Sequence, residues 1–212
     1  KLTVKGVRAD VGIALDGDGD RVVMVDEDGE LVDGDQLLYV LAGDHVARKS
    51  LKGPVVGTVM SNLGLELALG ELGVDFRRAS VGDRHVLSML KEQGGEASGH
   101  LICLDKTTTG DGLITALQVL SVMERTGRSL KDLVAGMTQF PQTMLSVEVA
   151  DQVDPYSQPE IRQAITDVEA KLGDLGRVVL RASGTEPVIR VMVEGEDRDT
   201  VAELAEYLSD SV

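Results

Sequence analysis

The sequence predicts an α/β protein: a larger domain built on a parallel sheet with helices on both faces, followed by a smaller α+β domain. Three observations carry this. From Pro54 to Gly127, short apolar strand-like runs alternate with segments of helical apolar spacing, the pattern of successive βαβ units. After Phe140-Pro141 the order changes to β-α-β-β-α. The 212 residues, 42% of them apolar, suffice for one large or two modest domains, since domains most often run to about 100–150 residues.

Taken in order, Val11 to Leu15 and Val22 to Val25 are apolar runs flanking Asp16-Gly17-Asp18-Gly19-Asp20-Arg21, which reads as strand, acidic loop, strand. Asp28-Gly29 supplies a hairpin turn into Glu30-Leu31-Val32, because glycine tolerates the positive φ such turns need. Helical spacing starts after Asp33-Gly34-Asp35, with Leu37, Leu38, Leu41 and Ala42 on one face, so a boundary is placed near residue 33. There follow strand Val55 to Met60, helix Leu63 to Leu72 capped by Gly73, strand Val74 to Arg78 and helix His85 to Gln93. Strand His100 to Leu104 then precedes a helix running from Asp111 to near Gly127, which makes residues 34–140 one α/β domain. In residues 141–212, strand Thr143 to Val149 leads to a helix with Ile161, Ala164, Ile165, Val168 and Leu172 on its apolar face. Strands Val178 to Arg181 and Val188 to Val193 and a last helix, Val201 to Leu208, complete it, and no internal repeat is found.

Composition excludes several classes of partner. Thirty-six acidic against 21 basic residues give a net charge of −15, which repels phosphate backbones and anionic lipid surfaces, so neither nucleic acid nor a membrane is an expected partner. No apolar stretch approaches the ~18 residues of a membrane span. Cys103, the single cysteine, lies inside the apolar run Leu101 to Leu104; it reads as a packing residue and fits a reducing cytoplasm. The core is aliphatic, with three Tyr, two Phe and no Trp. Lys1 opens the sequence without an initiator Met or a signal-like segment, so the start reads as a cut.

Three loops carry chemistry. Asp16, Asp18 and Asp20, at i, i+2 and i+4 between glycines, point to one side of an extended segment, where their mutual repulsion calls for a cation; oxygen ligands imply magnesium or calcium. The alternative is a solvated acidic turn. A calcium EF-hand is set aside because Arg21 stands where its loop needs Gly and strands flank both sides. An aspartyl-phosphate enzyme is set aside because neither Leu15-Asp16-Gly17-Asp18 nor Asp105-Lys106-Thr107 completes its motif. In Gly94-Gly95-Glu96-Ala97-Ser98-Gly99-His100, Glu96 and Ser98 can hold two vicinal hydroxyls and His100 can trade protons near neutrality; a helix cap with His100 merely packed is the competing reading. His45 and His85 read as surface or packing residues. Arg181, Ser183, Gly184, Thr185 and Arg190 surround a tight turn and form an anion site, the alternative being salt bridges to Glu186 and Glu194.

Together, and in this order, the loops resemble those of the α-D-phosphohexomutase superfamily over essentially the whole chain. The resemblance implies that Asp16, Asp18 and Asp20 bind Mg2+, that Glu96 and Ser98 read sugar hydroxyls, and that Arg181, Ser183, Gly184, Thr185 and Arg190 grip the substrate phosphate. Val81-Gly82-Asp83-Arg84 is similar to a further sugar-contacting loop, which makes Arg84 a substrate residue, and Arg21 and His100 assist phosphoryl and proton transfer. On this reading residues 1–33 are the end of a second family domain, 34–140 the third and 141–212 the phosphate-binding fourth. The stretches 95–100, 108–112 and 181–194 are most similar to the phosphoglucosamine mutase branch. The phosphomannomutase/phosphoglucomutase branch and a non-catalytic sugar-phosphate module are the alternatives. Ala97 and His85 depart from the pattern, which has Gln and Tyr there.

The activity implied is an intramolecular phosphotransferase that interconverts glucosamine 6-phosphate and glucosamine 1-phosphate through a phosphoserine and a bisphosphorylated sugar, in amino-sugar and cell-wall precursor synthesis. A homodimer is left open. The family's nucleophilic serine sits in a Ser-His-Asn-Pro loop that does not occur in these 212 residues, so the chain by itself is expected to bind without turning over.

Overall fold

The computed structural model describes residues 1–90, 93–149, 154–183 and 186–212. It divides into two compact units, Lys1–Thr138 and Gln139–Val212. The first unit opens with a short helix α1 (Leu2–Val7) and an antiparallel sheet of β1 (Gly12–Leu15), β2 (Val22–Val25) and β3 (Leu31–Val32). Helix α2 (Gly34–Ala47) begins with a capping box: the Asp33 carboxylate accepts from Gln36 N–H at 3.0 Å, and the Gln36 side-chain Oε1 accepts from Asp33 N–H at 3.1 Å. There follow β4 (Val55–Thr58), α3 (Leu63–Glu71), β5 (Phe76–Ala79), α4 (Asp83–Met89), β6 (Gln93–Gly95), β7 (Leu101–Cys103), α5 (Gly112–Thr126) and α6 (Leu130–Val134).

Strands β5, β4, β6 and β7 lie side by side in that order, with β4 and β7 buried on both faces and the edge strand β5 partly exposed. Alternation along each strand divides the core: Val55, Leu101 and Cys103 pack with Leu37, Leu38, Leu41, Leu65 and Val119, whereas Val56 and Ile102 pack with Val86 and Leu90 of the α4 side. Val22, Met24 and Val32 of the first sheet share the larger cluster, so packing is continuous from β2 through α5.

Two expectations need correction. The helix expected over 85–93 ends at Met89, and Gln93–Gly95 is instead a strand paired parallel with β4. Glycine favours helix poorly, and a Cβ at Gly94 would stand 2.5 Å from the Val56 carbonyl oxygen, so the close pairing of strands needs glycine there. The sheet is also mixed: β5, β4 and β6 are parallel, but β7 runs antiparallel to β6. Only residues 96–100 join that pair, and a parallel crossover needs a dozen or more.

The second unit is a three-stranded antiparallel sheet, ordered β8 (Gln142–Glu148), β10 (Val188–Glu194), β9 (Arg177–Ala182), with α7 (Pro159–Leu172) and α8 (Arg198–Asp210) on one face. Ile161, Ile165 and Val168 of α7 and Val201, Leu204 and Leu208 of α8 close over Ile189, Val191 and Val193. No helix among the described residues is long and apolar enough to cross a membrane.

Candidate functional site

The acidic loop is the connection of the β1–β2 hairpin, closed by Leu15 opposite Val22. Arg21 N–H donates to Asp16 Oδ1 at 3.2 Å, and the Arg21 Nε lies 3.8 Å from both Asp16 Oδ2 and Asp20 Oδ1. Carboxylate oxygens of Asp16, Asp18 and Asp20 lie within 4.8 Å of one another, the first two residues exposed and Asp20 half-buried. Desolvation at Asp16 is outweighed by the Arg21 N–H, the contact with Asp20 and the Arg21 charge, which hold its carboxyl below its ordinary range. Asp20 Oδ1 is buried and accepts no hydrogen bond. Three clustered carboxylates, one of them with a buried oxygen that accepts no hydrogen bond, fit a hard divalent cation better than a solvated turn.

His100 ties this loop to the rest of the unit. Its buried ring places Nδ1 3.1 Å from Asp20 Oδ2, and Nε2 stands 2.9 Å from Asp83 Oδ2, off the hydrogen-bond direction. Gly110 makes room for the ring, since a Cβ there would stand 2.3 Å from His100 Cε1 and Nε2. The imidazole thus bridges carboxylates from two loops and lies away from open solvent. Asp83 and Gly110 were not singled out as its neighbours in the sequence, because the His100–Asp20 and His100–Asp83 contacts join residues whose spacing in the chain carries no local signal.

The glycine-rich turn after β6 is held against both neighbours. Glu96 Oε1 accepts from Gly82 N–H at 3.1 Å, and Ser98 Oγ donates to Glu96 Oε2 at 3.4 Å, so the 81–84 and 96–99 loops form one surface. Arg84, in the first turn of α4, is exposed. Backbone hydrogen bonds join the 96–99 loop to β2 and α2, Val22 N–H to Gly99 O at 3.2 Å and Gly34 N–H to Ala97 O at 3.1 Å, and a third, Gly112 N–H to Gly19 O at 2.9 Å, ties the acidic loop to α5. Gly99 has φ +93°, and a Cβ there would meet the Val22 carbonyl oxygen at 2.0 Å. The structure therefore brings Asp16, Asp18, Asp20, Arg21, Arg84, Glu96, Ser98 and His100 into one unit: a carboxylate cluster suited to a cation beside acceptors and a hydroxyl suited to a polyol.

In the second unit, Arg181 and Arg190 are direct cross-strand partners on β9 and β10, with Ser146 of β8 next in the same row. Like charges directly opposite in a sheet destabilise it by roughly 0.2–1 kcal/mol, which an anion seated between them reverses. Glu186 Oε2 accepts from Arg190 Nη2 at 3.2 Å, as the salt-bridge alternative anticipated for that residue. Glu194 is fully buried and held by Arg177 at 2.5 Å and Gln142 at 2.9 Å. Ser183 is buried, its N–H donating to Val188 O at 2.8 Å, and Gly184 and Thr185 lie outside the described residues.

Comparison with known proteins gives a consistent picture. Residues 33–140 match the family described as phosphoglucomutase/phosphomannomutase, alpha/beta/alpha domain III, and residues 144–211 match phosphoglucomutase/phosphomannomutase, C-terminal domain. A phosphoglucosamine mutase of Methylococcus capsulatus is 56% identical over 216 residues, covering 100% of this chain and 48% of that protein. One from Escherichia coli is 54% identical over 210 residues, covering 97% of this chain and 47% of its own length. The chain thus spans about half the length of the curated relatives it matches. Among solved structures, Aspergillus fumigatus N-acetylphosphoglucosamine mutase in complex with GlcNAc-6P and magnesium is similar with a TM-score of 0.77 and 25% identity, over 94% of this chain and 51% of that one. With the third-domain match spanning more than half of the sequence and the C-terminal match most of the remainder, the chain belongs to the phosphoglucomutase/phosphomannomutase family.

Proposed function

We propose that this chain supplies the metal, sugar and phosphate loops of a phosphoglucosamine mutase, an enzyme that interconverts glucosamine 6-phosphate and glucosamine 1-phosphate through a phosphoserine and a bisphosphorylated sugar. The observation that carries the reading is the link between the acidic loop and the 96–100 turn, through His100 Nδ1 at 3.1 Å from Asp20 Oδ2 and the Val22 N–H to Gly99 O hydrogen bond, which seats a candidate cation site beside a hydroxyl-binding turn. Identities of 54–56% to phosphoglucosamine mutases support the amino-sugar branch. The complex of the fungal relative with GlcNAc-6P and magnesium supports a hexosamine phosphate and Mg2+ as the ligand classes. Residues 1–33 are then the end of a second domain, 34–140 a third and 141–212 a fourth, and the single buried cysteine suits the reducing cytoplasm.

In this reading Asp16, Asp18 and Asp20 hold the magnesium, which when bound offsets the negative charge of a transferring phosphoryl group. Arg21 lies against Asp16 and Asp20 and adds a further cation at the same place. His100 holds Asp20 from behind and packs against Asp83 at the start of α4, where Arg84 reaches the sugar phosphate. Glu96 and Ser98 accept from and donate to adjacent hydroxyls, with the Gly82 N–H holding the Glu96 carboxylate in place. Arg181 and Arg190, with Ser183, Gly184 and Thr185, bind the substrate phosphate.

Calorimetry on the 212-residue chain tests this. Magnesium binding is expected to weaken at least tenfold in Asp18→Asn, and glucosamine 6-phosphate binding to be lost in Arg190→Ala, with no turnover in a coupled mutase assay. Turnover by the purified chain that is abolished by Ser98→Ala overturns the reading, as does magnesium binding indifferent to Asp18→Asn.

A further inference from the structure

The surface shared by the 81–84 and 96–99 loops holds one carboxylate with no assigned task. Asp83 opens α4 with its side chain 48% exposed, one residue after the Gly82 N–H that donates to Glu96 Oε1 at 3.1 Å. Its Oδ2 stands 2.9 Å from His100 Nε2, and His100 Nδ1 stands 3.1 Å from Asp20 Oδ2. Asp83 therefore lies one imidazole's width from the acidic loop and beside the turn that offers Glu96 and Ser98, an arrangement on the scale of a single hexose ring.

This carboxylate is uncommitted. Among the described residues no lysine or arginine pairs with it, and it accepts no hydrogen bond, either from the first N–H groups of α4 or from His100, whose Nε2 lies off the hydrogen-bond direction. Glu96 differs, since both of its oxygens are engaged, Oε1 by the Gly82 N–H and Oε2 by the Ser98 hydroxyl at 3.4 Å. The helix dipole favours an aspartate in a first turn, which accounts for the charge of Asp83 but not for the imidazole set against it.

The second observation concerns His100. The residue is 4% exposed, and its Nε2, though next to Asp83 Oδ2, makes no hydrogen bond. A buried ring nitrogen without a partner marks a place where the polar groups are set for something further to engage them. Charge decides what suits that place. A sugar phosphate is itself an anion, so a bare carboxylate beside it is repulsive, and a neutral sugar body has nothing to set against that repulsion. Glucosamine does, because its amino group sits on the carbon next to a pair of adjacent hydroxyls. With Glu96 and Ser98 on those hydroxyls, the ammonium lies beside them, and its N–H donors match the free lone pairs of a carboxylate.

We propose that Asp83 reads the ammonium group of a 2-amino sugar phosphate and sets the preference for it over hexose phosphates with an uncharged sugar body. The proposal rests on the mutase reading and names the residue by which that site tells an amino sugar from a hexose. The same carboxylate works against the wrong substrate, because it stays unpaired and repulsive beside a sugar that lacks the amine.

The test is isothermal titration calorimetry of the 212-residue chain, with magnesium present throughout and at about pH 6.5, where the amine is protonated. Glucosamine 6-phosphate, N-acetylglucosamine 6-phosphate and glucose 6-phosphate are compared on the wild type, Asp83→Asn and Asp83→Glu. The wild type is expected to bind glucosamine 6-phosphate about tenfold or more tightly than the other two, the difference expected for a hydrogen bond between charged groups. Asp83→Asn should erase that preference by weakening glucosamine 6-phosphate alone, with an unchanged melting curve, and Asp83→Glu should keep part of it. Equal weakening of all three ligands by Asp83→Asn, or a preference that survives it, overturns the assignment. Equal wild-type binding of N-acetylglucosamine 6-phosphate overturns the ammonium class. Binding of none of the three by the wild type overturns the mutase reading itself and this proposal with it, whereas the other failures leave that reading standing.

Discussion

Asp35 offers the sharpest test of the energetics in the larger unit. It sits in the first turn of α2, is 1% exposed, and accepts from the Asn62 N–H at 2.7 Å. Burial, with the charge of Asp33 adding to it, lifts its carboxyl from an ordinary 3.8 to about 7, although the Asn62 N–H, Ser61 and Arg78 pull the other way. The folded state therefore holds this proton over a pH range where the unfolded state has released it, so the associated stability is complete below about pH 4 and falls as pH rises toward 7. A displacement of about three pH units at 1.36 kcal/mol each corresponds to about 4 kcal/mol. Asp35→Asn removes the titration and keeps an acceptor for Asn62. Urea unfolding of both proteins from pH 4 to pH 8 is expected to show the wild type losing about 4 kcal/mol relative to the variant across that range. Parallel curves, or a wild type that gains on the variant as pH rises, refute the reasoning.

Two further perturbations follow from packing. Gly110→Ala inserts a methyl 2.3 Å from the buried His100 ring, so a destabilisation of about 1–3 kcal/mol in chemical denaturation is expected, and a loss under ~0.5 kcal/mol shows that the ring is not confined as described. Arg177→Met leaves the fully buried Glu194 without its guanidinium, at an expected cost of about 3–5 kcal/mol, while Arg177→Met/Glu194→Met recovers most of it; equal single and double losses in urea melts contradict the pairing.

Much of the fold is legible in the sequence because local patterns and tertiary burial agree. The apolar faces of α7 and α8 pack as their spacing requires, since a 3.6-residue period leaves one stripe to cover a sheet. Where glycine governs, the pattern misleads: Gly94 and Gly95 read as a turn after a helix, yet they form a strand because only glycine fits against Val56 and Leu101. Helices α1 and α6, of six and five residues, are too short to show a period.

The sequence by itself determined which residues could do chemistry: carboxylates spaced by glycines, an acid and a hydroxyl in a turn, two arginines about a loop. That is so because side-chain type and alternation along one strand are local properties. Only the tertiary structure decided what those groups face. It set His100 between Asp20 and Asp83, gave the Gly82 N–H to Glu96, and made Arg181 and Arg190 direct neighbours. Those contacts join segments distant in the chain, and strand register and helix packing, which bring them together, leave no periodic mark in the sequence.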